Sequence, residues 1–421
     1  MVSKFSAGGG SAFGRKPISI SLSPNVQKDD VVLALKLLFQ PWKWKQGSAI
    51  KEFEQDFAKY LGVRHAFSFN SGRSTLYAIL KALNLPQGSD VVLQTFTCNA
   101  VPNPVLWAGL NPIYVDVAKD FNANMEQLNV KCQLSNVAIV QHTFGLPTDT
   151  ESIVRQNPGT TVIEDCAHAL GAETNGKKVG TFGRAGFFSF SRDKVISCVY
   201  GGMAVTNDDE LGKKLQGLQK EFGMPGLVWV KQQILHPILL HFIILPLYNF
   251  IDLGKLFLIF SQWLHILSKA VSWKEKRGLK PDYFPKAMPN ALAVLARHQF
   301  NKLEAFNAHR KEIAEFYYKE LTGTQFVLPK KENNIFLRFA VQHPKSLEIL
   351  YEAWHTEKIL LGDWYRQVID PFDTKLEKMK YTPGSCSNAE YLAKRTLNLP
   401  THINISMEDA KRIANFLKKW R

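Results

Sequence analysis

The sequence has few cysteines and no cysteine pattern that would bind a metal. Five occur in 421 residues, namely Cys98, Cys132, Cys166, Cys198 and Cys386, and none belongs to a CxxC pair or follows a zinc-ligand spacing. An odd number of cysteines without a secretory signal is typical of reduced thiols in a cytosolic protein. The sequence therefore predicts neither a disulfide framework nor a metal site.

An apolar run is also missing from residues 1–16, which are rich in Gly and Ser. A signal peptide needs such a run at its centre, so this segment predicts a flexible tail and not a secretory leader. The sequence has no internal repeat and no RNA-binding motif. We therefore expect no nucleic acid among the partners.

Acidic residues are outnumbered by basic ones. The chain has 52 Lys and Arg against 37 Asp and Glu, which gives a formal net charge of +15. Positive charge favours an anionic partner, such as a phosphorylated substrate or an anionic membrane face, although it is also compatible with a merely basic surface. With 45% hydrophobic and 21% charged residues, the composition is globular, and the length suffices for a large domain and a smaller one.

The segment 161–207 carries the strongest chemical pattern. An apolar run ends in Glu164 and Asp165, which predicts a buried strand with a carboxylate at the sheet edge where open α/β sheets bind ligands. Lys194 follows between strand-like segments, ahead of Gly201 and Gly202. Such a lysine can form a Schiff base with a carbonyl cofactor, and a buried Asp facing a pyridinium nitrogen completes a pyridoxal phosphate site. Alone, each residue is more often a cap, a salt-bridge partner or a solvated charge.

Further sequence blocks accompany this pattern in a fixed order. They comprise residues 70–72, 94–97, 108–116, 142–145, 164–169, 180–183, 189–194, 288–321 and 386–400. In this order the blocks resemble the DegT/DnrJ/EryC1/StrS family of sugar aminotransferases, which belongs to the fold type I pyridoxal phosphate enzymes. The resemblance covers residues 17–222 and 283–421, and the order makes it far more specific than any single block.

The resemblance implies an α/β fold of two domains. Residues 17–223 would form a large domain that binds pyridoxal phosphate, with a mostly parallel, mixed sheet between helices. Residues 282–421 would form a long helix and a smaller C-terminal α/β domain. The resemblance also implies a homodimer with active sites at the subunit interface. It further implies that glutamate or glutamine donates an amino group to a keto-sugar, usually carried on a nucleotide.

The resemblance assigns roles to particular residues of the site. Lys194 would bond to the cofactor and move a proton between substrate and cofactor, and Asp165 would keep the pyridine nitrogen protonated. Ser71 and Gly72, at a predicted helix N-terminus, and Ser189 would hold the cofactor phosphate. Some relatives carry His in place of Lys194 and act as dehydratases, so Lys194 favours transamination.

Three positions depart from the family. Arg73 replaces the usual Thr, and it would either pair with the cofactor phosphate or point to solvent. Cys98 stands where an aromatic residue or His usually stacks on the cofactor ring; Cys98 could pack there, or Phe96 could turn in. His168 replaces the usual Gln beside the ring's phenolic oxygen, where its protonation would matter near neutral pH. His142 would border the site, although a lone His is more often structural.

The segment 224–281 does not resemble the family. Its two apolar stretches, residues 234–251 and 253–271, approach the ~20 residues that a spanning helix needs, but prolines, histidines and charges interrupt them. Tryptophans flank the segment, and basic residues follow, which suits anionic headgroups. We predict a helical hairpin that lies in, or dips into, one membrane leaflet. The alternative is a helical pair buried at a dimer interface.

The sequence therefore predicts a pyridoxal-phosphate-dependent aminotransferase. It would move an amino group from an amino acid, such as glutamate, to a nucleotide- or lipid-linked keto-sugar, as a peripheral or monotopic protein on the inner face of the cytoplasmic membrane. Two other classes stay open. One is a non-catalytic membrane scaffold of the same fold. The departures at Cys98 and His168 favour it, as does the lack, near residues 283–288, of the Asn that the family often lends to the neighbouring subunit's phosphate site, whereas the retained Asp165 and Lys194 oppose it. The other is a related pyridoxal enzyme, such as a dehydratase or a lipid-keto aminotransferase.

Overall fold

A seven-stranded sheet forms the centre of the large domain. The computed structural model describes residues 17–248 and 253–420, so the predicted tail, residues 1–16, lies outside the described residues. The strands are β1 His65–Phe69, β2 Asp90–Gln94, β3 Asn111–Val115, β4 Val137–Gln141, β5 Thr161–Asp165, β6 Ala185–Ser189 and β7 Gly202–Thr206. They lie in the order β1-β7-β6-β5-β4-β2-β3, and every pairing is parallel except the two made by β7. The predicted mostly parallel, mixed sheet is confirmed.

The inner strands are apolar because helices cover the sheet on both faces. All five residues of β4 and all five of β7 are buried, as in sheets enclosed between helical layers. The short apolar-rich stretches 65–69 and 137–141 are both strands over their whole length. Burial on both faces thus explains why these strands read as continuous apolar runs.

Helices surround the sheet and build most of the rest of the chain. They are α1 Lys28–Leu38, α2 Ala49–Leu61, α3 Gly72–Ala82, α4 Pro102–Trp107, α5 Met125–Cys132, α6 Thr150–Gln156, α7 Asp209–Phe222, α8 Leu227–Leu239, α9 Leu253–Trp263, α10 Asn290–Phe300, α11 Leu303–Leu321, α12 Ser346–Glu357, α13 Ser387–Ala393 and α14 Met407–Leu417. Helix α8 continues through a π-helical turn, Leu240–Ile244, and a last turn, Leu245–Leu247.

The small domain packs α11, α12 and α14 around an antiparallel strand pair, Phe339–Gln342 with Thr396–Leu399. The one long helix expected at the start of residues 282–421 is wrong, because α10 and α11 are separate helices. The chain turns at Lys302, whose amine binds Asp29 and Asp30 of α1 at 2.8 and 3.1 Å. Residues 326–328 form only an isolated bridge, between Val327 and Gln342.

The apolar insert packs on its own large domain. Helix α8 buries Trp229, Val230, Ile234 and Ile238 in the core that α1, α2 and α10 share. Among the described residues, α8 and its continuation, residues 227–247, are the one stretch long and apolar enough to cross a membrane, yet 44% of its most apolar window is buried inside the protein. The same length and composition therefore suit a core helix. The turn of the predicted hairpin, residues 249–252, lies outside the described residues.

Candidate active site

A cavity of about 540 Å³ lies at the carboxyl ends of the parallel strands. The large domain, the insert and the small domain all contribute to its lining. The residues predicted to bind the cofactor all line it, namely Ser71, Gly72, Arg73, Cys98, Asp165, His168, Ser189 and Lys194. Since the topology brings the ends of β4, β5 and β6 to one edge, segments far apart in sequence meet there.

Lys194 lies in a turn after β6 that buried side chains hold in place. Asn25 Nδ2 donates to the backbone oxygens of Lys194 and Val195 at 2.6 and 3.1 Å, and Arg310 Nη2 donates to the latter at 2.7 Å. Burial lowers the pKa of Lys194 to about 8, and the negative charge of Asp165 opposes this shift. The amine is therefore partly unprotonated near neutral pH, as a nucleophile requires.

Asp165 ends β5 and places a buried carboxylate in the same cavity. Its Oδ1 accepts a hydrogen bond from Ala167 N at 3.0 Å. Burial raises the pKa of Asp165, whereas the Ala167 hydrogen bond and the charge of Lys194 lower it. The carboxylate and the Lys194 amine thus stabilise each other's charged forms across the cavity.

His168 is a neutral hydrogen-bond donor in this environment. Phe144 N donates to His168 Nδ1 at 3.3 Å, so the ring proton is on Nε2, which lies 3.5 Å from Tyr365 Oη. Burial lowers the pKa of His168 well below its usual range, and the charges of Lys194 and Arg338 add to the effect. Desolvation thus favours the uncharged imidazole, which runs against the expectation that its protonation would matter near neutral pH.

The N-terminus of α3 forms another part of the cavity. Ser71 Oγ caps the helix by accepting from Ser74 N at 3.0 Å, and the first N–H groups of a helix favour an anion. A Cβ on Gly72 would lie 3.0 Å from Ser189 Cβ, and one on Gly202 would lie 2.7 Å from Gly72 N. These glycines therefore let β6 and β7 pack directly against the helix start.

The chemistry of these groups fits pyridoxal phosphate. Helix N–H groups and serine hydroxyls can bind its phosphate, the Asp165 carboxylate can face its ring nitrogen, and the Lys194 amine can reach its carbonyl carbon. All line one cavity whose volume is typical of a small-molecule site. The residues present are thus sufficient to hold the cofactor.

Arg73 is buried and bound to the insert. Only 7% of it is exposed, its Nη1 forms an ion pair with Glu275, and its Nη2 donates to Ala270 O at 2.9 Å. The guanidinium also lies 4.9 Å from the centroid of the Phe284 ring. These contacts exclude the alternative in which Arg73 points to solvent. Direct pairing with the cofactor phosphate stays a prediction.

Aromatic side chains enter the cavity from positions that the sequence did not single out. Phe96 is fully buried and lies 5.3 Å from the Tyr365 ring, so the alternative in which it turns into the cavity is wrong. Trp364, from the small domain, stacks on His168 with ring centroids 5.4 Å apart. The Arg338 guanidinium lies 3.4 Å from the centroid of the Trp364 ring. No local motif marks Trp364 or Arg338, because only the packing of the small domain brings Trp364 to the cavity and Arg338 onto its ring.

His142 does not line the cavity. It is buried beneath the sheet edge, where its Nε2 lies 3.2 Å from Glu164 Oε2 and its Nδ1 accepts from Thr148 N at 2.9 Å. The Glu164 carboxylate also accepts from three backbone N–H groups between residues 180 and 183. His142 therefore supports the structure of the strand ends.

The insert forms one side of the cavity. Its lining residues are His236, Leu258, Gln262, Lys269, Ala270, Val271 and Lys276. Arg192 Nη2 donates to Ser268 O and Oγ at 2.6 and 2.8 Å, and Tyr200 Oη donates to Ala270 O at 3.2 Å. The residues next to Lys194 are thereby joined to the segment that had no family counterpart, and no sequence pattern predicted this contact.

Comparison with known proteins identifies one family and several similar proteins. The sequence profile of the "DegT/DnrJ/EryC1/StrS aminotransferase family" matches residues 26–236 and 273–418 and omits 237–272. The prediction that none of residues 224–281 resembles the family is therefore wrong at both ends of that segment, 224–236 and 273–281. A GDP-perosamine synthase of Caulobacter vibrioides is 34% identical over 400 residues, 93% of this chain and 95% of the relative. A UDP-N-acetyl-3-dehydro-alpha-D-glucosamine 3-aminotransferase of Acidithiobacillus ferrooxidans is 28% identical over 403 residues, 93% and 94% of the two chains. The structure of Helicobacter pylori PseC, an aminotransferase involved in pseudoaminic acid biosynthesis, matches with a TM-score of 0.73 at 21% identity, over 96% and 99% of the chains.

Proposed function

The chain belongs to the DegT/DnrJ/EryC1/StrS aminotransferase family, whose members depend on pyridoxal phosphate, and we propose that it transfers an amino group from glutamate to a keto-sugar. The observation that carries this proposal is the cavity shared by the Lys194 amine, the Asp165 carboxylate and the N-terminus of α3. Two relatives are named for a GDP-linked and a UDP-linked sugar, which supports a sugar acceptor.

The side chains of the cavity divide the chemistry among them. Pyridoxal phosphate, when bound, supplies an electron sink for the substrate carbon. Lys194 Nζ is the group placed to take a proton from that carbon and return it, because a pKa of about 8 lies near physiological pH. Asp165 would hold a proton at the ring nitrogen, and His168 Nε2 would donate a hydrogen bond to the ring oxygen. Ser189 and the N-terminus of α3 would bind the phosphate.

We further propose that the insert binds the inner face of the cytoplasmic membrane. Large apolar side chains of α9 face outward, with Leu256, Ile259, Phe260 and Trp263 exposed by 58%, 55%, 55% and 71%. An exposed apolar patch of this kind marks an interaction surface. Five basic residues follow α9 in the chain and would attract anionic lipids, namely Lys269, Lys274, Lys276, Arg277 and Lys280. A homodimer, expected from the family, supplies the competing way to cover this patch.

Absorbance spectroscopy tests the transamination. The full chain and Lys194→Ala are reconstituted with pyridoxal phosphate and then mixed with glutamate. We expect a visible cofactor band in the wild type that changes on adding glutamate, with one 2-oxoglutarate formed per bound cofactor. A chain that binds no cofactor would be a scaffold, and a chain that binds it without producing 2-oxoglutarate would be a different pyridoxal enzyme.

Flotation with vesicles tests the location. The full chain should float with vesicles that contain phosphatidylglycerol, and less so as salt screens the basic residues. Pure phosphatidylcholine vesicles are the control for the apolar contribution. A chain that stays behind with both vesicle types and sediments as a dimer would contradict the membrane proposal.

A further inference from the structure

The catalytic cavity opens on the insert. Among the described residues that line it, only Lys269 and Ala270 are exposed, while the others are buried or half-buried. Both lie in the segment that follows α9, which ends at Trp263. We call these two residues the rim, and we infer that a substrate reaches Lys194 past them.

Helix α9 separates the cavity from the exposed apolar surface. Leu258 and Gln262, one turn apart, line the cavity, whereas Phe260 and Trp263 are exposed. Leu264 and Ile266, exposed by 44% and 40%, continue the apolar surface toward the rim. A molecule that passes the rim therefore has an apolar surface beside it on the outside and the Lys194 amine on the inside.

Cationic side chains lie between the rim and the catalytic lysine. Arg192 lines the cavity, and although its Nη2 binds Ser268, its buried Nε has no hydrogen-bond partner in the described part of the chain. Buried donors of native proteins rarely stay unpaired, so this guanidinium suits an anionic ligand. Lys269 adds a positive charge at the rim. A diphosphate group that reaches inward from the rim would be neutralised by these two side chains.

We propose that the acceptor is a keto-sugar joined through a diphosphate to a membrane lipid. The inference rests on the proposed transamination and names its substrate class. The sugar would lie at Lys194, the diphosphate at Arg192 and Lys269, and the lipid chain along the apolar surface of α9. A nucleotide sugar carries the same diphosphate, but its base and ribose would meet apolar side chains beyond the rim.

Inhibition of the glutamate reaction distinguishes the two carriers. The full chain, loaded with pyridoxal phosphate, is assayed with glutamate on phosphatidylcholine vesicles, first without a probe. A long-chain polyprenyl diphosphate in the vesicles is then compared with UDP and with water-soluble dimethylallyl diphosphate. We expect the polyprenyl diphosphate to inhibit at concentrations at least about tenfold lower than either soluble diphosphate, because its chain is held by apolar surface.

Three results would overturn the inference. UDP inhibiting as strongly as the polyprenyl diphosphate would identify a nucleotide carrier while leaving transamination intact. Phosphatidylglycerol of equal charge inhibiting just as strongly would show a response to surface charge alone. A chain that shows no glutamate reaction before any probe is added would overturn the proposed function and this inference with it.

A pair of charge reversals locates the diphosphate. Lys269→Glu changes the rim, and Lys255→Glu changes an exposed residue of α9 that does not line the cavity. We expect both variants to weaken binding to anionic vesicles similarly, and Lys269→Glu alone to weaken inhibition by the polyprenyl diphosphate several-fold at equal vesicle occupancy. Equal weakening of inhibition in both variants would overturn the assignment of the diphosphate to the rim.

Discussion

Two sides of one cavity are built in different ways. The floor, at the strand ends, is held by hydrogen bonds inside the large domain, and it comprises Ser71, Asp165, His168, Ser189 and Lys194. The wall, from the insert, comprises Leu258, Gln262, Lys269, Ala270 and Lys276, and its helix exposes apolar side chains on the outside. The floor has the fixed geometry that proton transfer requires. The wall has the surface through which a substrate or a membrane would arrive.

A buried ion pair joins the floor to the wall. Arg73, directly after the N-terminus of α3, pairs with Glu275 of the insert, and Glu275 Oε2 also accepts from Ser272 N at 2.7 Å. Asn103 Nδ2 donates to Glu275 O at 2.9 Å. The end of the insert is thereby fixed to the helix that would hold the cofactor phosphate. A substitution at this ion pair should therefore alter both the floor and the wall of the cavity.

The largest expected effect comes from removing the catalytic group of the floor. Lys194→Ala should lower the rate of 2-oxoglutarate formation from glutamate by about 10²–10⁴-fold, the range for loss of a positioned acid–base group. Lys213→Ala, which changes a largely exposed lysine on α7, is the matched control and should keep wild-type activity. A Lys194→Ala variant that retains activity would show that the floor has been assigned wrongly.

The second largest effect is expected from breaking the buried ion pair between Arg73 and Glu275. Glu275→Leu leaves the Arg73 guanidinium buried without a carboxylate and should lower the free energy of unfolding by about 3–5 kcal/mol in urea titrations. The double variant Arg73→Met with Glu275→Leu removes both charges and should recover most of this loss, since apolar replacement of a buried pair is often neutral. A loss below about 1 kcal/mol for Glu275→Leu would mean that the pair behaves like an exposed one.

Truncating an apolar side chain on the outer surface of the wall should weaken membrane binding and leave cofactor binding at the floor unchanged. Phe260→Ser should weaken binding to anionic vesicles by about 1.5–3 kcal/mol, the value of one buried apolar side chain, with cofactor affinity unchanged. Leu134→Ser, at an exposed position of the large domain, controls for general loss of apolar surface. Vesicle affinity that falls equally in both variants would remove α9 from the membrane contact.

The smallest effect is a graded dependence on pH. Only the unprotonated Lys194 amine attacks a carbonyl, so the rate of reconstitution with pyridoxal phosphate should rise with pH and level off above a pH of about 8. The unfolded chain binds more protons between about 8 and the usual 10.5, so the unfolding free energy of the cofactor-free protein should also rise across this window. Stopped-flow absorbance measures the rate of reconstitution with the cofactor. A midpoint of that rate near the usual pKa of 10.5 would mean that the Lys194 amine is solvated.

Much of the floor could be predicted from the sequence because its signals are local. An apolar run that ends in Asp165 is a buried strand with a carboxylate at its end, and Ser71 before Gly72 is a helix cap. The protonation of His168 could not be predicted, since it depends on burial and on the charges of Lys194 and Arg338, which only the fold brings near.

The wall could not be predicted for a different reason. Apolar periodicity indicates that a helix has an apolar surface but not whether lipid or protein covers it. Helix α8 is partly covered by the large domain, whereas α9 exposes residues such as Trp263. Trp364 likewise reaches the cavity only through packing of the small domain, with Arg338 against its ring, and no spacing in the sequence relates either residue to Lys194.

Chemical modification at the rim is the most direct test that floor and wall form one site. Ala270→Cys places a thiol at the exposed opening, and a bulky thiol reagent is attached before the reaction with glutamate. Wild-type protein treated alike is the control, because burial raises the pKa of the Cys98 thiol and slows its reaction. We predict that labelled Ala270→Cys loses 2-oxoglutarate formation while the treated wild type and the unlabelled variant keep it. Full activity of the labelled variant would contradict a cavity that opens on the insert.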